Sequence, residues 1–197
     1  MFSACTDKKG LMKRVLSRIA AMSAIVLALP LAGVATASES QASGDGQYCS
    51  WLVGPAPADG GVSPVLANEC SDVSPEDAQE RMRTAASQGS TAARTALVDV
   101  PIMYWYEHTD FNNMGGAKGE FTTIFGSAGP CDGAGYRVEP TYWWKHNLSS
   151  IIGGSNCDFA RLTNIALNSS QEFGIAGYYA RYLGGFHDNV GLTQPHA

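Results

Sequence analysis

Charge is scarce in this chain, and positive charge scarcer still: 16% of its 197 residues are Asp, Glu, Lys or Arg, with 13 basic against 18 acidic residues. Five of the basic residues (Lys8, Lys9, Lys13, Arg14, Arg18) and one acid (Asp7) precede the only strongly apolar run, Ile19 to Val34. Setting that segment aside leaves 8 basic and 17 acidic residues, a net charge of 8 − 17 = −9. Nucleic acid and anionic membrane surfaces need clustered cations and are disfavoured partners. The chain also lacks Gly-x-Ser-x-Gly, His-Glu-x-x-His, a phosphate-binding glycine loop and a dinucleotide fingerprint, so no familiar enzyme motif is present. Glu107, His108 and Asp110 form the densest titratable cluster, and they follow an apolar run where a polar turn is expected in any case.

The apolar run is too short for a comfortable membrane span, contains Pro30, and ends at Ala35-Thr36-Ala37, a small-x-small cleavage site. Residues 1–37 therefore read as a secretory signal peptide cut before Ser38. Discounting Cys5 leaves Cys49, Cys70, Cys131 and Cys157, an even number suited to an oxidising compartment. Four cysteines allow three pairings. Cys49–Cys70 and Cys131–Cys157 are favoured because each closes a loop within one region. A zinc site is a poor rival, since no Cys-x-x-Cys occurs and no histidine stands at ligand spacing from a cysteine.

From 38 to 95 the chain is rich in Ser, Gly, Ala and Pro and reads as an irregular arm with one short strand at Tyr48–Val53. Ser74 ahead of Pro75, Glu76 and Asp77 predicts a capped helix from Pro75 to about Ser87 with a thin apolar face. After Ala96, β-branched and aromatic runs alternate with Gly, Asn, Asp and Pro, which predicts an all-β body over 96–197. Its expected strands are Ile102–Tyr106, Glu120–Phe125, Tyr136–Val138, Leu148–Gly153, Phe159–Ile165, Phe173–Tyr179 and Gly191–Thr193.

Two stretches echo each other. Tyr106-Glu107-His108-Thr109-Asp110-Phe111-Asn112-Asn113 is matched by Leu162 to Ser169, and Trp144-Lys145-His146-Asn147-Leu148-Ser149-Ser150 by Phe186 to Leu192. With Cys131-Asp132-Gly133-Ala134-Gly135, Trp143-Trp144 and Asn156-Cys157, this order resembles the βγ-crystallin family, in particular secreted actinobacterial members. The resemblance covers about residues 96 to 193 and implies a sandwich of two Greek-key units. The second unit departs from the pattern, with Leu162 and Leu167 in aromatic positions and Gly191-Leu192 in place of a Ser pair. In the first, Asn113 replaces a glycine. In such a fold Ser149 or Ser150 ties down a folded hairpin that Tyr106 and Phe111 cover.

The resemblance also raises calcium. The first loop has Lys145 where a carboxylate belongs, so only a weak half-site is expected: Asp188 with Ser149 or Ser150, and Glu107 beside them. No other cofactor is implied. Trp143, Trp144, Tyr178 and Tyr179 are expected to offer aromatic surface to an extracellular protein or a carbohydrate. Some βγ-crystallin relatives inhibit proteases, and the tethered hairpin Gly126–Tyr136 is the segment suited to that. The expectation is a secreted, monomeric, non-enzymatic binding protein, possible protease inhibition being its first specific form. The alternative is a structural, calcium-stabilised envelope or spore protein.

Overall fold

A computed structural model describes residues 48–89, 100–113, 118–131, 135–177 and 179–197. The expected signal peptide lies outside them. Two sheets carry the fold. The larger holds β1 (Tyr48–Val53), β2 (Val65–Ser71), β3 (Val100–Tyr106), β4 (Phe121–Gly126) and β5 (Ser150–Gly153), in the order β2-β1-β4-β3-β5. The smaller holds β6 (Phe159–Thr163), β7 (Ser170–Gly174) and β8 (Leu192–His196), in the order β7-β6-β8. Neighbouring strands are antiparallel except β1 and β4, which run parallel with Trp51 opposite Ile124.

One core joins the two sheets. Trp51, Met103, Trp105, Ile124 and Ile151 of the larger sheet meet Ala160 and Leu162 of the smaller, together with Val138, Leu148, Ile175, Leu183 and Val190 from the connections. Trp105 is fully buried and sits edge-on to Trp51 at 5.5 Å and to Trp144 at 5.8 Å. Such pairs add about 1 kcal/mol beyond the area they bury.

The segment ahead of residue 96 is more ordered than the expected arm. Besides β1 it supplies β2, and β1 lies inside the sheet between β2 and β4, so the larger sheet runs across residue 96. Cys49 and Cys70 are directly opposite in the β1–β2 register and form a disulfide, and Cys131 and Cys157, both outside the strands, form the second. The helix α1 (Pro75–Gln88) starts as expected, Ser74 accepting from the Asp77 N–H at 3.2 Å. Ala78, Met82 and Ala86 recur every four residues on its buried face. Met82 and Ala86 cover Leu52 and Phe125 on the outer side of the larger sheet, forming a second small core.

Three further elements differ from expectation. Tyr136–Val138 forms no strand of its own and contributes only a single bridge from Val138 to Thr193. Tyr142–Lys145 forms a single helical turn, α2, capped by Thr141, which accepts from the Trp144 N–H at 3.3 Å. The strand expected at Phe173–Tyr179 lies instead at Ser170–Gly174. Asn164 Oδ1 accepts from the N–H groups of Asn168 and Ser169 at 3.0 and 3.2 Å, closing the turn early and starting β7 at once.

Candidate functional site

At the end of β3 the chain turns through Glu107–Asn113, and Asp110, Phe111 and Asn112 all have left-handed backbone, with φ of 56°, 58° and 63°. Each such residue costs about 1–2 kcal/mol, so the turn has to be held from outside. Ser150 Oγ accepts from the Phe111 N–H at 3.1 Å and donates to the His108 carbonyl at 2.7 Å. Asp110 N–H donates to the Arg181 carbonyl, and their side chains form an ion pair. Asn112 bridges the turn: its Oδ1 accepts from the His108 N–H and its Nδ2 donates to the Glu120 carbonyl. The buried Phe111 ring packs edge-on to Tyr106 at 5.4 Å. Asn113 has an ordinary φ of −88°, so no glycine is needed there.

This turn forms one wall of an open cleft of about 410 Å³, lined by Glu107, His108, Thr109, Asn147, Ser149, His187 and Asp188. The cleft brings together three of the four residues expected around a cation. Ser149 Oγ donates to Asp188 Oδ1 at 3.3 Å, and Glu107 lines the same cleft. Ser150 is not among the lining residues, because its hydroxyl is engaged by the turn. The carboxylates are also partly engaged: Asp188 Oδ2 is 2.9 Å from His187 Nδ1, and Glu107 Oε2 accepts from the Glu120 N–H at 2.8 Å. Lys145 pairs with Glu139 at 2.6 Å. Among the described residues no group of three or more His, Cys, Asp or Glu side chains is placed to hold a metal.

Behind Glu107 lies a residue that the sequence reading passed over. Glu120 is buried to 1% exposure, with both carboxyl oxygens unpartnered among the described residues. Burial first, and the charge of Glu107 second, push its pKa up to about 7. Its strand position was the available signal, since Glu120, Thr122 and Ile124 alternate and the last two face the core.

The expected aromatic surface is redistributed. Trp144 is buried at 2% exposure and Trp143 is partly buried against the core, so Trp144 is unavailable to a partner. The cause is α2: helical backbone rotates successive side chains by about 100°, turning Trp144 inward and Tyr142 outward. Among the described residues Tyr142, Phe159, Tyr179 and Tyr182 are exposed rings, and Tyr178 lies outside them. Tyr142 packs on His146 and Tyr182 on His187.

Of the expected hairpin Gly126–Tyr136, residues 132–134 lie outside the described residues, and the stretch directly after β4 is held at several points. Ser127 N–H donates to the Val53 carbonyl at 2.9 Å and Ala128 N–H to Tyr136 Oη at 3.2 Å. Tyr136 Oη in turn donates to the Gly129 carbonyl at 2.7 Å. Cys131 is held by its disulfide and by an N–H bond to the Ser155 carbonyl at 3.3 Å. Gly126 is required beneath it, because a Cβ there would lie 2.4 Å from Tyr136 Oη. Ala128 and Pro130 remain exposed. No family model, curated protein or solved structure matches this chain.

Proposed function

We propose that this is a secreted, disulfide-stapled βγ-crystallin-like protein that works by binding an extracellular partner, with inhibition of a secreted protease as its specific activity. The observation that carries the reading is the anchoring of Ser127, Ala128, Gly129 and Cys131 while Ala128 and Pro130 stay exposed. A segment already fixed loses little conformational freedom on docking, which is the property an inhibitory loop needs. The two disulfides, and the lack of any helix among the described residues long and apolar enough to cross a membrane, support an extracellular setting. Ser150 in the turn, Tyr106 packed on Phe111, and the shared core of the two sheets support the crystallin-like architecture.

The test is inhibition of a panel of secreted serine and metalloproteases by purified protein. Stoichiometric inhibition of one class is expected, and no inhibition in either class at micromolar protein contradicts the proposal.

A second reading has its own observation: Glu107, Ser149 and Asp188 share one cleft. Calcium held there would make the protein a calcium-stabilised structural component. With six to eight oxygens normally required and these carboxylates already engaged, affinity would be weak. A melting temperature raised by millimolar calcium and restored by chelator is its signature, and an unmoved one sinks it.

A further inference from the structure

The outer face of the smaller sheet carries a second cleft, of about 470 Å³, lined by Arg137, Arg161, Thr163, Leu167, Ser170, Leu192 and Gln194. The register explains the grouping. Arg161 and Thr163 on β6 stand opposite Gln194 and Leu192 on β8, and Thr163 stands opposite Ser170 on β7. Arg137 joins from outside the strands. The next residue, Val138, exchanges backbone hydrogen bonds with Thr193 at 2.8 and 2.9 Å, which extends the sheet by one rung. Ser63 grips the Arg137 backbone, its Oγ accepting from the Arg137 N–H at 3.1 Å and its N–H donating to the carbonyl at 2.8 Å.

The charges in this cleft are uncompensated. Among the described residues Arg81, Arg83, Lys145 and Arg181 each pair with a carboxylate. Among the described residues Lys118, Arg137 and Arg161 do not, the two arginines both lining this cleft, although acids outnumber bases in the chain by 18 to 13. The acid opposite Arg161 is Glu172, whose carboxylate pairs with His196, the residue opposite Phe159 on β8. Arg137 Nε is buried and unpartnered among the described residues. Thr163 and Ser170 share one hydrogen bond at 2.9 Å, which leaves one of the two hydroxyls with a proton to donate elsewhere. Two guanidinium forks, a free hydroxyl proton and the Gln194 amide all supply donors, and no carboxylate lines the cleft.

We infer that this cleft binds an oxyanion, a phosphate, sulfate or carboxylate group, between Arg137 and Arg161. Guanidinium forks match the spacing of two oxygens on such groups, and a charge-assisted bond is about twice as strong as a neutral one. The cleft is larger than a free anion requires, so the group can be borne on a sugar. The exposed Leu167 at its edge offers apolar cover for a sugar ring, and the buried Leu192 closes the cleft floor beside Thr163.

The experiment is an NMR titration of the labelled full chain with inorganic phosphate, glucose 6-phosphate, glucuronate and uncharged glucose. Phosphate at millimolar concentration is expected to shift Thr163, Gln194 and the two arginine Nε signals. Sugar-borne anions binding about tenfold tighter than phosphate assign the ring to the site, and equal affinity assigns the free anion. Arg161 is exposed, so R161Q should leave the remaining spectrum intact while weakening phosphate about tenfold, with R161K falling between. Absence of shifts with every anion, glucose matching glucose 6-phosphate, or R161Q binding phosphate like the wild type would overturn the inference.

Discussion

The two echoing turns, Glu107–Asn113 and Asn164–Ser169, solve one backbone problem in different ways. Phe111 and Leu167 occupy matching places and have nearly the same left-handed φ, 58° and 55°. Phe111 is 8% exposed and Leu167 67%. The first turn is held from a distance by Ser150, Arg181 and Glu120, and it caps the core with a ring. The second is held mostly by its own Asn164, which bonds Asn168 and Ser169, with Asn189 Oδ1 accepting from the Ile165 N–H. Gly191, where the first unit has Ser149, lies so close to this turn that a Cβ would sit 2.6 Å from the Asn164 carbonyl. A turn tied by its own side chain needs no distant hydroxyl, and it leaves its apolar residue in solvent beside the arginine cleft.

The widest separation between the turns should come from truncating their apolar residues. Phe111→Ala is expected to cost about 4 kcal/mol in urea unfolding, against within about 0.5 kcal/mol for Leu167→Ala. Equal costs would break the comparison.

Next in size is pH dependence, which belongs to the first turn alone because Glu120 underlies it. Its folded pKa of about 7 lies above the ordinary 4.5. The acid form is therefore favoured by folding, and stability should be greatest below pH 4.5, fall as pH rises toward 7 and flatten above. A shift of this size corresponds to about 3 kcal/mol across that window. Glu120→Gln should remove that fall, measured as urea midpoints at pH 5 and pH 8. A variant retaining the whole slope would assign it to another group.

The smallest contrast lies in the tethers. Ser150→Ala leaves the Phe111 N–H and the His108 carbonyl without their partner and should cost about 2 kcal/mol. Asn164→Ala removes solvent-exposed bonds and should cost about 1 kcal/mol. Hydrogen exchange should then rise over 107–113 in the first variant and over 164–169 in the second.

Strands β1, β3 and β4 were legible because their apolar runs are dense and bounded by breakers. β2 was not: Val65-Leu66-Ala67-Asn68-Glu69-Cys70-Ser71 has little alternation, and its pairing comes from β1 and the disulfide beside it. Thr141 ahead of Tyr142-Trp143-Trp144 was a readable cap, outweighed by the β-propensity of the aromatics. Of the first cleft, Glu107, Ser149 and Asp188 were named in advance through the resemblance to βγ-crystallin loops. Glu120 was hidden because a carboxylate is ordinarily a surface residue. The arginine cleft was hidden because its members are scattered over 137–194 and meet only through strand register.

The central claim is that the segment after β4 meets a partner because Tyr136 and the Cys131–Cys157 disulfide hold it rigid. Protease inhibition by Tyr136→Phe tests this most directly, since the variant keeps the ring and removes the hydroxyl that binds Ala128 N–H and the Gly129 carbonyl. The account predicts an inhibition constant raised about tenfold, with the melting temperature lowered by only a few degrees. An inhibition constant unchanged in Tyr136→Phe, and unchanged again when Ala128→Arg alters the exposed tip, would contradict it.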